Sequence, residues 1–535
     1  MDHSFEVVLI GGDGLPLRTF PAAPNIRNEL YLMRNIGIDT LVSRLIRQGI
    51  SAIAIHHVQE LMKRASLRDI LERFVTVNTK IVGLSTSLLY ARWDPRYAEC
   101  ANLDEVVRDF NGYLVGKNVT SCELVLEMAD IVKSISPGAK IIIGGHSSSW
   151  FNEHRNDELG ALLQRTAGVV DVMFNGTAEH SLVKYFQEIS NGASPPLDRA
   201  IGGFATISET LEEKKSFTEC GVSYGANSHL PYGAHLNIEL SRGCNFRCRF
   251  CRINANFLKP SEYTKSPSVL KDELTRNYEE HGVTSYFLGD DMVNDSDYKV
   301  RMLTDVIGSL PFSVKWGSFA RLDPFIKNPE HANMMKESGC IGLTFGVETF
   351  NSRAGASVGK GLGERSKEVL TDIRSRVGDD VFLQGCFIAG LPYEDPYDLS
   401  RSIVSWMDTP DCALDAMSCF PLYIFSMEEW KNYGYRFIAP NVWARENDTL
   451  YDAYQAAALT HRTASKIPMT MFLFHPANAL MLGDLGVDLE MLLTLKRTMK
   501  AADFASAESQ CQRISEIGKR GQVKWYDDYC NAVLG

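Results

Sequence analysis

The sequence predicts an α/β protein: an N-terminal doubly wound parallel sheet, then a six-unit (β/α) partial barrel, then a helical C-terminal region. Three observations predict it. Short aliphatic runs alternate with amphipathic stretches through the first third of the chain, six further strand-then-helix units follow, and beyond about Pro440 long segments carry almost no proline or glycine.

In the first third the runs are EVVLIGG, ISAIAIHH, KIVGLSTSLL, AKIIIGGHSSS and VVDVMFNGTAEHS, with amphipathic stretches such as CELVLEMADIVKSI between them. Their hydrophobicity is continuous rather than alternating, which marks strands covered on both faces. A Rossmann-like unit is therefore expected over residues 1–187. Gly11-Gly12, Gly83, Gly144-Gly145 and Gly176 fall at or near the carboxyl ends of these strands, the edge where open sheets bind ligands. The segment GGDGLPL lacks the GxGxxG spacing, which disfavours a nicotinamide or flavin dinucleotide. Residues 188–235, with NGASPP, IGGF and ETLEEKK, read as a linker. The second strand set, over 236–440, is LNIELS, TSYFLGD, SVKWGSF, IGLTFGVE, VFLQGCFIAG and AMSCFPLYIF. Residues 441–535, including DTLYDAYQAAALTHRTASK, are expected to be helical.

At 535 residues the chain exceeds what one core usually supports, so several domains are expected. A net charge of −11 argues against broad contact with nucleic acid or an anionic membrane and favours a small-molecule substrate. No apolar run approaches membrane-spanning length, and VVLI near the start is too short for a signal peptide. Twelve scattered cysteines form no secreted disulfide pattern. A cytoplasmic location is the expectation.

The segment SRGCNFRCRFC gathers Cys244, Cys248 and Cys251 directly after the first barrel strand. A structural zinc site wants four ligands, yet there is no second CxxC or nearby histidine pair, and the closest later cysteine is Cys340. Three thiols on one loop suit an iron–sulfur cluster that keeps an iron position open. CNFRCRFC resembles the CxxxCxΦC signature of radical S-adenosylmethionine (radical SAM) enzymes, with Phe250 as the aromatic member. The resemblance implies a [4Fe-4S] cluster held by these cysteines, S-adenosylmethionine on its free iron, and an electron donor such as flavodoxin or ferredoxin. It also implies a 5′-deoxyadenosyl radical. LGDDMVND stands where the family has a GGE-like turn at the methionyl amine, so Gly289, Asp290 and Asp291 become candidates. Arg321 in FARLD and Glu348 in the GVE…KG-like FGVETFNSRAGASVGKG are candidates for the cofactor pocket, with Glu348 preferred to Lys360. The FIAGLPYEDP turn, with Gly390 and Pro392, is read as structural.

The preceding sheet, with GLSTSLL, IIIGGHSSSW and DVMFNGTAEHSLVKYF at successive strand ends, is similar to the cobalamin domain of cobalamin-dependent radical SAM enzymes. The matching positions are Ser85, Thr86, Gly144, Gly145, Gly176 and Glu179. DxHxxG is absent, because Asp13 is followed by GLPL, and GTAE replaces the usual GEGE. His56, His57 and His146 lie near strand ends but are read as structural. The resemblance implies a cobalamin-dependent methyltransferase acting on an unactivated carbon of a small metabolite or natural-product intermediate. Cyclisation, ring contraction or rearrangement with the same cofactors is the first alternative, and a non-catalytic metal- or cobalamin-binding protein is the second. A methylthiotransferase is disfavoured, since Cys100, Cys122 and Cys220 form no second cluster loop. Cys412 and Cys419 are expected to be buried structural residues.

Overall fold

The computed structural model describes residues 4–12, 34–85, 123–145, 158–201, 203–230, 232–251, 258–407, 409, 411–421, 435–439, 442–445 and 529–534. The first sheet holds β1 (Val7–Ile10), β2 (Ala52–Ile55), β3 (Ile81–Ser85), β4 (Lys140–Gly145), β5 (Val172–Asn175), β6 (Asp198–Ile201) and β7 (Phe204–Ser208). Their order is β2-β1-β3-β4-β5-β7-β6. All neighbours are parallel except the β6–β7 pair. Because β1 lies between β2 and β3, the winding direction reverses there, which opens a crevice beyond the carboxyl ends of β1 and β3.

The continuous apolar runs arise from that double coverage. Val8, Ile10, Ile53, Ile55, Val82, Leu84, Ile141 and Ile143 enter one buried cluster. Their neighbours Val7, Leu9, Ala52, Ile81 and Ile142 enter another on the opposite face. Period-two side-chain alternation leaves neither face for solvent.

Residues 198–208, expected within a linker, instead add β6 and β7 to the sheet. The pair is a short antiparallel hairpin through Ile201 and Phe204, and Phe204 is fully buried. Its glycine pair is a turn signal that a linker would also show.

The second sheet runs in chain order: β8 (His235–Ile238), β9 (Ser285–Leu288), β10 (Lys315–Ala320), β11 (Cys340–Glu348), β12 (Phe382–Ala389) and β13 (Ala416–Pro421). Every adjacent pair is parallel, as six successive βα units require. Leu236, Ile238, Tyr286, Leu288, Trp316, Leu343 and Phe345 share one large core with residues of the covering helices. On the barrel's smaller cluster Phe287 meets Ile341 and Phe319.

In the region expected to be helical, β15 (Val442–Arg445) pairs antiparallel with β14 (Tyr435–Ala439), so the region opens on a hairpin. Residues 529–534 are helical, and the remainder of 441–535 lies outside the described residues. That last helix packs on the first sheet: Tyr529, Cys530 and Val533 share the core of Ile53 and Ile55. Tyr529 Oη donates to the His56 carbonyl at 2.8 Å and accepts from the His56 N–H at 3.0 Å. Among the described residues no helix is long and apolar enough to cross a membrane.

Removing the Tyr529 hydroxyl leaves two buried backbone groups unsatisfied, at about 1–3 kcal/mol for each such loss. Tyr529→Phe is therefore expected to lower the denaturant midpoint, measured by circular dichroism, while retaining the native secondary structure.

Candidate functional site at the barrel mouth

The cysteine loop leaves β8 at Ile238 and runs to Cys251. Its backbone N–H groups are gathered by carboxylates that follow β9. Leu240 N–H donates to Asp290 at 2.9 Å, and Ser241 donates to the same carboxylate through its N–H and, at 2.5 Å, its Oγ. Gly243 N–H donates to Asp291 at 3.1 Å, and Asn245 N–H to Asp295 at 3.3 Å. A buried loop must satisfy its amides somewhere, and the three acids in the six residues of DDMVND supply the acceptors.

Lys299 stands behind those acids. It lies in the first turn of the helix Asp297–Gly308, capped by Ser296, where a cation opposes the helix dipole. The fully buried ammonium lies 3.3 Å from Asp295 and 3.8 Å from Asp290, and donates to Ser241 Oγ at 2.5 Å. Tyr263 Oη donates to Asp295 at 2.8 Å and accepts from Asn245 Nδ2 at 2.7 Å. Burial pushes the Asp290 carboxyl up to about 6, with Lys299 opposing the rise. Expected at a cofactor amine, Asp290 thus spends both oxygens on the cysteine loop. Gly289 is exposed at the mouth and Asp291 is half-buried.

Arg321, directly after β10, reaches the loop from the other side. Its Nη1 donates to Cys248 Sγ at 2.9 Å, its Nη2 to the Gly359 carbonyl at 2.7 Å, and its Nε to Asp323. Asn294 fixes its backbone through both N–H and C=O. The guanidinium lies 4.1 Å from the Phe246 ring centroid, a cation–π stack. Arg249 N–H donates to the Val358 carbonyl at 3.1 Å. A side chain on Gly359, whose φ is 83°, would come within 3.4 Å of the Arg247 carbonyl, so glycine permits this docking.

Glu348 closes β11 at a register irregularity and at φ 67°, a left-handed conformation costly for a non-glycine residue and concentrated at functional sites. Its buried carboxylate lies 3.2 Å from Lys360 Nζ, which also donates to the Gly346 carbonyl at 2.8 Å. Burial raises the Glu348 pKa, with Lys360 opposing. The two residues weighed against each other in the sequence are thus one ion pair.

Cys244 is buried, Cys248 half-buried and Cys251 exposed. Burial pushes the Cys244 thiol up to about 11. Phe250 is half-buried in the turn before Cys251. Among the described residues no group of three or more His, Cys, Asp or Glu side chains is arranged to hold a single metal ion. Cys412 and Cys419 are buried.

At the first sheet's edge, Ser85 Oγ accepts from Asn35 Nδ2 at 3.0 Å. Gly144 packs on Phe174, while Gly145 is exposed. Gly176, at φ 99°, makes room for Glu209, whose Cβ would lie 2.6 Å from an added methyl. Glu179 Oε1 lies 2.6 Å from Arg242 Nη1. His56 bonds Asp39 at 2.9 Å, and Asp39 also pairs with Arg34, so His56 belongs to a buried charge network. His57 sits at φ 53°, edge-on to Tyr529. Thr86 and His146 lie outside the described residues.

Sequence reasoning missed Ser241, Arg242, Phe246, Tyr263, Asp295 and Lys299. The Asp295–Lys299 spacing of four residues, separated from DDM only by Val293 and Asn294, is the signal that was available.

Residues 238–403 match the Radical SAM superfamily model. An uncharacterized methyltransferase of Pyrococcus horikoshii is 21% identical over 325 residues, a match spanning 57% of this chain and 66%, just under two thirds, of that relative. Among solved structures, the radical SAM methyltransferase TsrM of Kitasatospora setae, with cobalamin and a [4Fe-4S] cluster bound, superposes with a TM-score of 0.56. That alignment has 14% identity and covers 96% of this chain and 99% of TsrM. The cobalamin-dependent S-adenosylmethionine radical enzyme OxsB, with aqua-cobalamin and S-adenosylmethionine bound, gives 0.50 at 15% identity, covering 80% of this chain and 55% of OxsB. The chain therefore carries a radical SAM domain at residues 238–403 and, together with the preceding sheet, has the fold of the cobalamin-dependent radical S-adenosylmethionine enzymes.

Proposed function

We propose that this chain is a cobalamin-dependent radical SAM methyltransferase acting on an unactivated carbon of a small metabolite or natural-product intermediate. One observation carries the reading: the three-cysteine loop at the barrel's carboxyl edge is tied to the carboxyl edge of the first sheet through Arg242 and Glu179. Two cofactor edges that must serve one substrate are thereby neighbours. The curated relative and TsrM, both described as methyltransferases, support the choice of reaction.

The residues fit the groups. Cys244, Cys248 and Cys251 supply three soft donors on one loop, the ligand type of a [4Fe-4S] cluster. When bound, the cluster with S-adenosylmethionine supplies a carbon-centred radical and the corrinoid supplies the methyl group. The chain's own residues hold and charge the site. Asp290, Asp291 and Asp295 fix the loop backbone, and the Arg321 guanidinium stands against Cys248 Sγ, where a thiolate concentrates negative charge. Glu348 and Lys360 offer an anion and a cation at the strand end, the charges a zwitterionic amino-acid moiety matches. In the first sheet, Ser85 and the exposed Gly145 stand at the edge assigned to cobalamin. A flavodoxin or ferredoxin is the proposed electron donor.

Anaerobic reconstitution with iron, sulfide and hydroxocobalamin tests the reading. The absorption spectrum should show iron–sulfur charge transfer and corrinoid bands together, and alanine at Cys244, Cys248 or Cys251 should abolish the former. Zinc in place of iron, or full iron retention in those variants, sinks the proposal. With the substrate in hand, a product one carbon heavier separates methylation from rearrangement.

Lys299→Met leaves Asp290 and Asp295 buried without their cation, a change that costs about 3–5 kcal/mol. The expected result is a large fall in denaturant midpoint, together with iron lost faster to a chelator from whatever folded protein remains.

A further inference from the structure

We propose that the Glu179–Arg242 ion pair is a positioning contact that keeps the cysteine loop of the barrel in register with the cofactor edge of the first sheet. The inference rests on the assignment of the corrinoid to that sheet.

Arg242 is two residues before Cys244, so its side chain is rooted in the loop itself. Its Nη1 lies 2.6 Å from Glu179 and its Nη2 lies 2.7 Å from Glu239. The guanidinium also lies 4.5 Å from the centroid of Phe217, which belongs to the segment connecting the two sheets, and the Arg242 N–H donates to the Tyr263 carbonyl at 3.3 Å. Barrel, connector and first sheet therefore meet on one side chain. A guanidinium suits this because its planar fork can serve several acceptors at once with little loss of freedom.

Glu179 is available for the contact because another acid has taken its local role. It stands just before the helix Ser181–Ser190, where a carboxylate would ordinarily cap the first N–H groups. Those of His180 and Ser181 are instead held by Glu213, at 2.6 and 3.1 Å. Glu179 accepts from the Ala178 N–H at 3.2 Å and turns its other oxygen across to Arg242. With 4% of its side chain exposed, Glu179 is effectively dry. Two carboxylates, Glu179 and Glu213, thus sit close together, and burial followed by their repulsion raises the Glu213 pKa. Arg242 is the cation that faces Glu179 there.

Further bonds between the halves run through the connecting segment: Ser43 with Ser223, and Arg34 with the Ser228 carbonyl. They attach the sheet to the connector, whereas Glu179–Arg242 attaches it to the loop that carries the cysteines. Misplacement of about 1 Å between reacting centres can cost about 100-fold in rate, so a contact made at the loop itself has more leverage on reactivity than one made at the connector.

The test reads relative placement rather than turnover. The full chain, reconstituted with iron, sulfide and hydroxocobalamin, is reduced until cobalt and cluster are both paramagnetic, and the spin relaxation of Co(II) is measured by electron paramagnetic resonance. In the wild type the cluster should shorten that relaxation relative to Cys251→Ala, the cluster-free reference. Glu179→Ala should keep its iron and corrinoid content but move the relaxation toward that reference. Glu179→Gln, which keeps an oxygen for Arg242, should stay near the wild type. Should Glu179→Ala not fold, Arg242→Lys, with its charge kept but its fork lost, should give an intermediate relaxation. Wild-type relaxation in the folded Glu179→Ala or Arg242→Lys protein with both cofactors bound overturns the inference. If the wild type takes up a cluster but no corrinoid, the assignment of the first sheet falls and this inference falls with it.

Discussion

A loop of charged and small residues, SRGCNFRC, has to sit folded at the mouth of a barrel with its amides turned inward. What permits this is the buried acidic cradle behind it. Asp290 alone accepts from Leu240 N–H, Ser241 N–H and Ser241 Oγ. Such concentrated negative charge is tolerable in a dry site only beside a cation, and Lys299 provides it with no exposed side-chain surface. The loop's shape, the placement of three thiols and the approach of Arg321 follow from that arrangement.

The cradle is one instance of a wider division of labour. Acids after one strand hold the backbone after the preceding strand, while basic groups after later strands face the sulfur and the mouth. Arg321 joins three strand ends by bonding Cys248 Sγ, Asp323 and the Gly359 carbonyl. Glu348, strained at φ 67°, is held by Lys360 from twelve residues further on. Strain and buried charge gather where the strands deliver their carboxyl ends, the face on which barrels of this kind place their chemistry.

The first sheet contributes by the same rule at its own carboxyl edge. Its crevice follows from the order β2-β1-β3, and the buried Arg34–Asp39–His56 network holds the start of the helix Ile36–Arg47 beside it. The C-terminal helix at Tyr529 then clamps the His56 backbone. Three distant parts of the chain, near residues 35, 56 and 529, thereby fix one edge.

The sequence by itself determined the two parallel sheets, their strand order in the chain and the three-cysteine loop, because each is written in local apolar runs, glycine turns and fixed short spacing. β6 and β7 escaped notice because a glycine-rich hairpin and a linker share the same turn residues. Only the tertiary structure decided the partners. Ser241 and Asp290 are 49 residues apart and Arg321 and Cys248 are 73 apart, and nothing in the spacing pairs them. It also decided contacts: Asp290 and Glu179, at strand ends where cofactor contacts were expected, bond Ser241 and Arg242 of the cysteine loop. An acid's sequence position says that charge is present at a strand end. Which buried amide or cation satisfies that charge depends on what folding brings against it.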